Sequence, residues 1–230
     1  MINYIPRLIS DKIEEAHKYY PVTVVTGPRQ SGKSTLCRHL FADYNYVNLE
    51  HITTRAAALS DPVAFLNGLG DRVIIDEVQH VPELLSMIQV RVDEDKNLRY
   101  ILTGSSNFSL LKSVTQSLAG RAALFTLLPF SFKELDRAKI DAPIEKLLWQ
   151  GQYPGVVVDD FPPQIFYRNY YNTYVERDLR ELLNLKNLLA FDTFMKLLAC
   201  RVGSEFNASA LAREVGVTAK TITEWLSLLA

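Results

Sequence analysis

The chain has 230 residues, 48% hydrophobic and 22% charged, with 25 Lys+Arg against 26 Asp+Glu and a formal net charge of −1. That is the composition of a globular protein with a sizeable core, and a charge so close to zero excludes nucleic-acid binding by overall electrostatics. No apolar run reaches membrane-span length, the start of the chain carries Asp11, Glu14 and Glu15 and no signal-peptide apolar region, and Cys37 and Cys200 fall in apolar, helical-looking segments that suggest reduced core thiols in a cytoplasmic protein.

In chain order, Ile9, Ile13 and Ala16 share one face of an amphipathic lead-in helix. The β-branched run Val22 to Thr26 reads as a strand. Gly27-Pro28-Arg29-Gln30-Ser31-Gly32-Lys33-Ser34-Thr35 follows it and fits G-x-x-x-x-G-K-[ST], the phosphate-binding P-loop. A helical pattern then runs from Ser34 to Phe41. Gly27 and Gly32 permit turns that let successive N–H groups converge on phosphate oxygens, and the helix N-terminus adds partial positive charge there. In this pattern Lys33 reaches the β- and γ-phosphates and the Ser34 hydroxyl ligates Mg²⁺. Arg29 faces either phosphate or solvent.

Further strands are expected at Tyr46 to Leu49, Arg72 to Ile75, Tyr100 to Thr103 and Ala123 to Leu127, with helices opened by Asp61-Pro62 and by Pro82 between them. Strands alternating with helices predict a five-stranded parallel sheet covered on both sides. The third strand ends Val73-Ile74-Ile75-Asp76-Glu77, a Walker B pattern: Asp76 belongs in the Mg²⁺ shell and Glu77 is the general base that polarises water. Asn48 and Glu50, at the end of the second strand, either hydrogen-bond Glu77 or cap their strand. After the fourth strand Ser105, ahead of Ser106 and Asn107, either contacts the γ-phosphate or lytic water, or caps the next helix. Arg121, before the fifth strand, is either an arginine finger, in cis or reaching a neighbouring subunit, or a structural ion pair.

The alternation stops after Leu128-Pro129-Phe130, and the sequence reads mostly helical to about Cys200, with an aromatic packing stripe at Tyr167, Tyr171 and Tyr174. Near the C-terminus, Ala212, Gly216, Ile222, Trp225 and Leu226 have helix-turn-helix spacing, with Thr218 capping the second helix. This organisation gives a P-loop nucleotide-binding core at 1–128, a helical lid or linker at 129–202, and a helix-turn-helix, the start of a winged helix, at 203–230. Of the outward residues on the second helix, only Lys220 is basic, so a protein partner is favoured over DNA.

Taken together, the P-loop, Tyr46-Val47-Asn48-Leu49-Glu50, Ile75-Asp76-Glu77-Val78-Gln79, Leu102-Thr103-Gly104-Ser105-Ser106, Leu118-Ala119-Gly120-Arg121, Leu128-Pro129-Phe130-Ser131-Phe132 and the Tyr174 to Asp178 region resemble the AAA-superfamily ATPases of bacteria and archaea that pair a P-loop core with a C-terminal domain of unknown function. The resemblance implies a P-loop NTPase α/β fold, ATP with Mg²⁺, a helical segment, a winged helix and a further domain; ending inside an apolar helix, this chain looks truncated against that pattern. It also marks Gly120-Arg121 as a recurring pair. The expected function is Mg²⁺-dependent ATP hydrolysis coupled to movement of the C-terminal region. The alternative is an ATP-gated switch with slow hydrolysis that binds a protein or DNA, and an Arg121 acting in trans requires a homo-oligomer.

Overall fold

The computed structural model describes residues 4–104, 114, 117–174 and 188–229. Helix α1 (Ser10–Tyr19) leads into strand β1 (Val22–Thr26), and the glycine-rich loop after it opens α2 (Lys33–Leu40). There follow β2 (Asn45–Asn48), α3 (Ile52–Ser60), α4 (Pro62–Gly68), β3 (Arg72–Asp76), α5 (Glu83–Glu94), β4 (Arg99–Thr103) and β5 (Ala122–Thr126). Among the described residues there follow α6 (Phe132–Arg137), α7 (Ile144–Gln150), α8 (Pro154–Val157), α9 (Pro163–Tyr174), α10 (Leu188–Ala199), α11 (Ala208–Val215) and α12 (Ala219–Leu229).

All five strands pair in parallel in the order β2-β3-β4-β1-β5. β4 is therefore inserted between the loop-bearing β1 and β3. Strand alternation divides the core between the two faces of the sheet. Val22, Val24, Val73, Ile75, Tyr100 and Leu102 point to one side and pack against α4 and α5 through Leu66, Leu84, Leu85 and Ile88. Val25, Ile74 and Ile101 point to the other, where Ile13 of α1 and Leu36 and Cys37 of α2 cover them. Two-sided burial is why the strands read as nearly unbroken apolar runs.

Local signals set the helix starts. Asp61 accepts from Ala64 N–H at 2.9 Å with Pro62 in the first turn, and Ser131 with Glu134 closes a capping box at α6. Strand and helix cease to alternate at β5, yet the compact unit extends further, because Phe130, Leu135 and Leu147 pack on Ile5 from the N-terminal segment.

The chain divides into two compact units between Phe166 and Tyr167. In the second, Phe191 and Phe194 of α10, Leu211 and Ala212 of α11, and Ile222 and Trp225 of α12 form the core. Gly216, at φ 78°, turns the chain between α11 and α12, and Thr218 Oγ1 accepts from Thr221 N–H at 3.1 Å. Tyr171 packs in this core and donates to Asp192 at 2.9 Å. The two thiols differ: Cys37 is buried, whereas Cys200, read from sequence as a core residue, is exposed just past the end of α10.

Candidate functional site

The site lies at the C-terminal ends of the strands, where an open parallel sheet binds its ligands. Gly27 leaves β1 at φ 143°, and a Cβ there would lie 2.2 Å from the Leu127 carbonyl oxygen. Gln30 (φ 61°) and Gly32 (φ 94°) are also left-handed. These reversals curl the loop after β1, and successive N–H groups in such turns are the backbone donors that an anion uses. The first amides of α2 have no intrahelical partners and add their partial charge at the same place. Lys33 is 5% exposed, and its Nζ donates to the carbonyls of Gly27 and Pro28, both at 3.0 Å. Burial lowers the Lys33 pKa, while the charges of Glu77 and Asp76 oppose that shift and Arg29 adds to it. Both carboxylates and the Arg29 guanidinium therefore sit within electrostatic reach of the lysine. Ser34 is half-buried in the first turn of α2, and Thr35 is exposed beside it.

Asp76 ends β3 at 2% exposure. Its two carboxylate oxygens are both held: Tyr46 on β2 donates to Oδ2 at 2.6 Å, and Thr103 at the end of β4 donates to Oδ1. Thr103 Oγ1 also receives the Glu77 N–H at 3.4 Å, so one hydroxyl ties both acidic residues to the inserted strand. Glu77 is a non-glycine residue at φ 58°, ψ 46°, a conformation that costs about 1 kcal/mol or more and that turns the chain sharply after β3. Its carboxylate accepts from the Gln79 amide. Of the strand-end candidates, Asn48 Oδ1 accepts from the Glu50 N–H at 2.7 Å, and the Glu50 carboxylate meets His80 Nε2 at 2.8 Å.

Beside the loop is a pocket of about 200 Å³ whose lining includes Tyr4, Arg7, Gly32, Thr35, Phe130 and Asp159. Arg121 stands at the other end of the sheet. It immediately precedes β5, whose Ala122 pairs with Val22 at the start of β1, so the length of β1, about 16 Å at strand spacing, separates it from Gly27. Its guanidinium grips both carboxylate oxygens of Asp93, at 2.8 and 2.7 Å. Within one chain the sheet does not bring Arg121 to the loop. Ser105, Ser106 and Asn107 lie outside the described residues. Tyr46, Thr103 and Gln79 are contacts that the sequence reading missed. Thr103 had a signal, a hydroxyl at the C-terminal end of a central strand; Tyr46 had none beyond its strand pattern.

A parallel sheet with β4 inserted between the loop strand and the acidic strand, and a glycine-rich loop opening a helix, defines a P-loop NTPase fold. Residues 19–136 match the AAA domain family, and the chain belongs to that family. Residues 141–230 match a domain of unknown function, DUF8612. An uncharacterized protein of Mycobacterium tuberculosis is 29% identical over 214 residues, covering 91% of this chain and 47% of the relative. An uncharacterized protein of Methanocaldococcus jannaschii is 24% identical over 204 residues, covering 73% of this chain and 46% of the relative. The chain thus spans about half the length of these relatives. The solved Walker-type ATPase of Pyrococcus abyssi aligns over 98% of this chain and 89% of its own, with a TM-score of 0.55 and 20% identity, which is a likeness of fold. Among the described residues no helix is long and apolar enough to cross a membrane.

Proposed function

We propose that this chain binds ATP with Mg²⁺ and hydrolyses it. The observation that carries the reading is the buried Lys33, whose ammonium spans the glycine-rich loop to the Gly27 and Pro28 carbonyls within electrostatic reach of Asp76 and Glu77. The residues present suit Mg²⁺. Asp76 uses one lone pair on each oxygen for Tyr46 and Thr103 and retains others for a cation. Ser34 supplies a second hard oxygen, and Mg²⁺ takes few protein ligands beside phosphates and water. Bound there, Mg²⁺ neutralises phosphate charge.

In this reading the amides of Gly27 to Thr35 and the Lys33 ammonium hold the phosphates, Ser34 and Asp76 hold the cation, and Thr103 and Tyr46 keep the Asp76 carboxylate oriented. Glu77 takes the proton of the attacking water on a carboxylate oxygen, and Gln79 holds that carboxylate in place. The pocket beside the loop, with Tyr4 and Phe130 as apolar walls and Asp159 as a hydrogen-bond acceptor, suits the base and sugar of a nucleotide such as ATP or ADP. Ser105 as a γ-phosphate contact and Arg121 as a charge supplied to a neighbouring copy complete the proposal. The domain assignment, a core at 1–128 followed by a lid and the start of a winged helix, belongs to it as well. The C-terminal helices would respond to nucleotide through a protein partner rather than DNA, since Lys220 on α12 lies 3.9 Å from Glu224 and its charge is offset.

The test is ATP turnover by the chain and by Glu77→Gln, with nucleotide binding followed in parallel. We expect Glu77→Gln to bind ATP as the wild type does and to lose about a hundredfold or more in turnover. Equal turnover would remove Glu77 from its role, and a folded wild type that binds no nucleotide would overturn the proposal. Specific activity rising with protein concentration and lost in Arg121→Ala would place Arg121 in trans.

A further inference from the structure

Arg7 sits in the segment before α1, far from the loop in sequence, yet its side chain is buried beneath the loop at 7% exposure. Nε donates to Glu134 Oε1 at 3.0 Å and Nη1 to the Ser31 carbonyl at 3.0 Å. Nη2 donates to the carbonyls of Leu128 and Pro129, where the chain leaves β5, and the guanidinium lies over the Phe130 ring at 4.7 Å. Glu134 is also 5% exposed and receives the N–H groups of Leu8 at 2.8 Å and Ser131 at 2.7 Å. Burial pushes the Glu134 carboxyl up, but these two amides and the Arg7 charge outweigh it and hold the group below the ordinary carboxylate range.

A buried ion pair is by itself a poor source of net stability, and apolar side chains serve as well. What only a rigid fork can do is bond several acceptors at fixed angles, and one of these acceptors belongs to the phosphate loop. In a trans peptide the C=O of one residue and the N–H of the next point in opposite directions. With the Ser31 carbonyl tied to Arg7, the Gly32 N–H is aimed away from it. Gly32 is the left-handed residue that opens α2, and Arg7 and Gly32 line the same pocket.

We propose that Arg7, braced by Glu134, is a positioning residue of the phosphate loop: it holds the Ser31–Gly32 peptide in the orientation that presents the Gly32 N–H to phosphate. The inference rests on the reading of this loop as a phosphate site. It links the N-terminal segment and the exit of β5 to the loop through one side chain, so anything that shifts either element alters phosphate affinity.

The experiment measures binding of ATP and of inorganic triphosphate by the full chain and by Arg7→Lys, beside the unfolding transition of each. Triphosphate has no base, so it reports on the loop alone. Lysine keeps a cation for Glu134 but cannot also bond Ser31 and Leu128 in the same geometry. The expected result is a folded Arg7→Lys that binds triphosphate about tenfold more weakly, the worth of one well-placed hydrogen bond, with ATP weakened by the same factor. Wild-type affinity for triphosphate in a folded Arg7→Lys overturns the inference, and a loss confined to ATP does so too by assigning Arg7 to the base pocket. If Arg7→Lys does not fold, Glu134→Gln, which removes the charge that braces Arg7 and leaves one oxygen to accept from Leu8 or from Ser131, replaces it. Weakened triphosphate binding then supports the inference, and wild-type binding overturns it. A wild type that binds ATP but is unaffected by these changes sinks this inference alone, whereas one that binds neither ligand sinks the phosphate site with it.

Discussion

Tyr46 and Asp76 are joined by a 2.6 Å hydrogen bond across neighbouring parallel strands. In the β2–β3 register Asp76 is the partner of Asn48, so Tyr46 is its diagonal neighbour two residues back, a span that an aromatic side chain can bridge. The phenol thereby fixes the carboxylate proposed to hold Mg²⁺, and its own pKa is raised, first by burial and then by the bond to Asp76. Tyr46→Phe keeps the ring and removes the bond. We expect a several-fold increase in the Mg²⁺ concentration needed for half-maximal turnover, little change in nucleotide affinity, and a stability loss of about 1 kcal/mol. An unchanged Mg²⁺ titration would show that Thr103 alone suffices to orient Asp76.

The sequence made this part of the fold legible because its signals are local. Val22 to Thr35 carries strand, loop and helix in one stretch, and Ile75-Asp76-Glu77 carries strand end and acidic pair in another. The placement of β4 between β1 and β3 is a long-range pairing that no single stretch of the sequence announces. What stayed hidden is long-range or conformational. Arg7 and Glu134 are 127 residues apart, and although Ser131-x-x-Glu134 announces a capping box, nothing in that signal says that the same carboxylate also receives a guanidinium. The glycines marked the left-handed turns at 27 and 32, but Gln30 adopts one as well without being glycine. The end of α10 was read as core, and because the helix stops at Ala199, Cys200 falls outside it.

Lys33 is kept at a cost to the fold. Burial lowers its pKa, so the folded chain disfavours the very charge that a phosphate would use. Lys33→Met retains the aliphatic length and deletes the ammonium. The expected outcome is loss of measurable ATP and triphosphate binding with stability unchanged or raised by about 1 kcal/mol, the trade-off usual for functional groups. Binding isotherms and urea unfolding of the same preparation check both halves, and strong destabilisation would mean that the bonds to Gly27 and Pro28 serve the fold first.

Gly27 is constrained twice. Its φ of 143° is a region that side chains avoid, and a Cβ would enter the Leu127 backbone at 2.2 Å. Because that contact is backbone, β1 and β5 would have to part at their upper ends. Gly27→Ala is expected to destabilise the chain by about 3 kcal/mol or more and to abolish phosphate binding. At Gly120, also at positive φ but with nothing within 4 Å of a Cβ, substitution by alanine should cost only the backbone strain of about 1 kcal/mol. Comparable losses at the two sites would remove the steric argument.

His17 supplies the pH dependence of the fold. Its ring is buried, with Nδ1 2.8 Å from Thr23 Oγ1 and Nε2 2.9 Å from the Tyr44 hydroxyl, and its edge against Phe41. Burial, with smaller contributions from the Arg99 and Arg72 charges, lowers its pKa from 6.5 to about 4. The folded chain therefore keeps the ring neutral while the unfolded chain protonates it, so between those two values the unfolded state binds more protons. Stability must rise with pH through this window, be complete above 6.5, and be lost as pH falls toward 4, by up to about 3 kcal/mol. Carboxylates held low by their partners, Glu134 among them, lose their contribution below that window, so the upper part of it reports on the histidine. His17→Gln retains hydrogen-bonding capacity without a titratable ring. The stability difference between wild type and His17→Gln should shrink by about 2 kcal/mol between about pH 7.5 and about pH 5. Parallel urea-unfolding profiles over that range would show that the ring is protonated in the folded state, and would assign the acid sensitivity to the carboxylates.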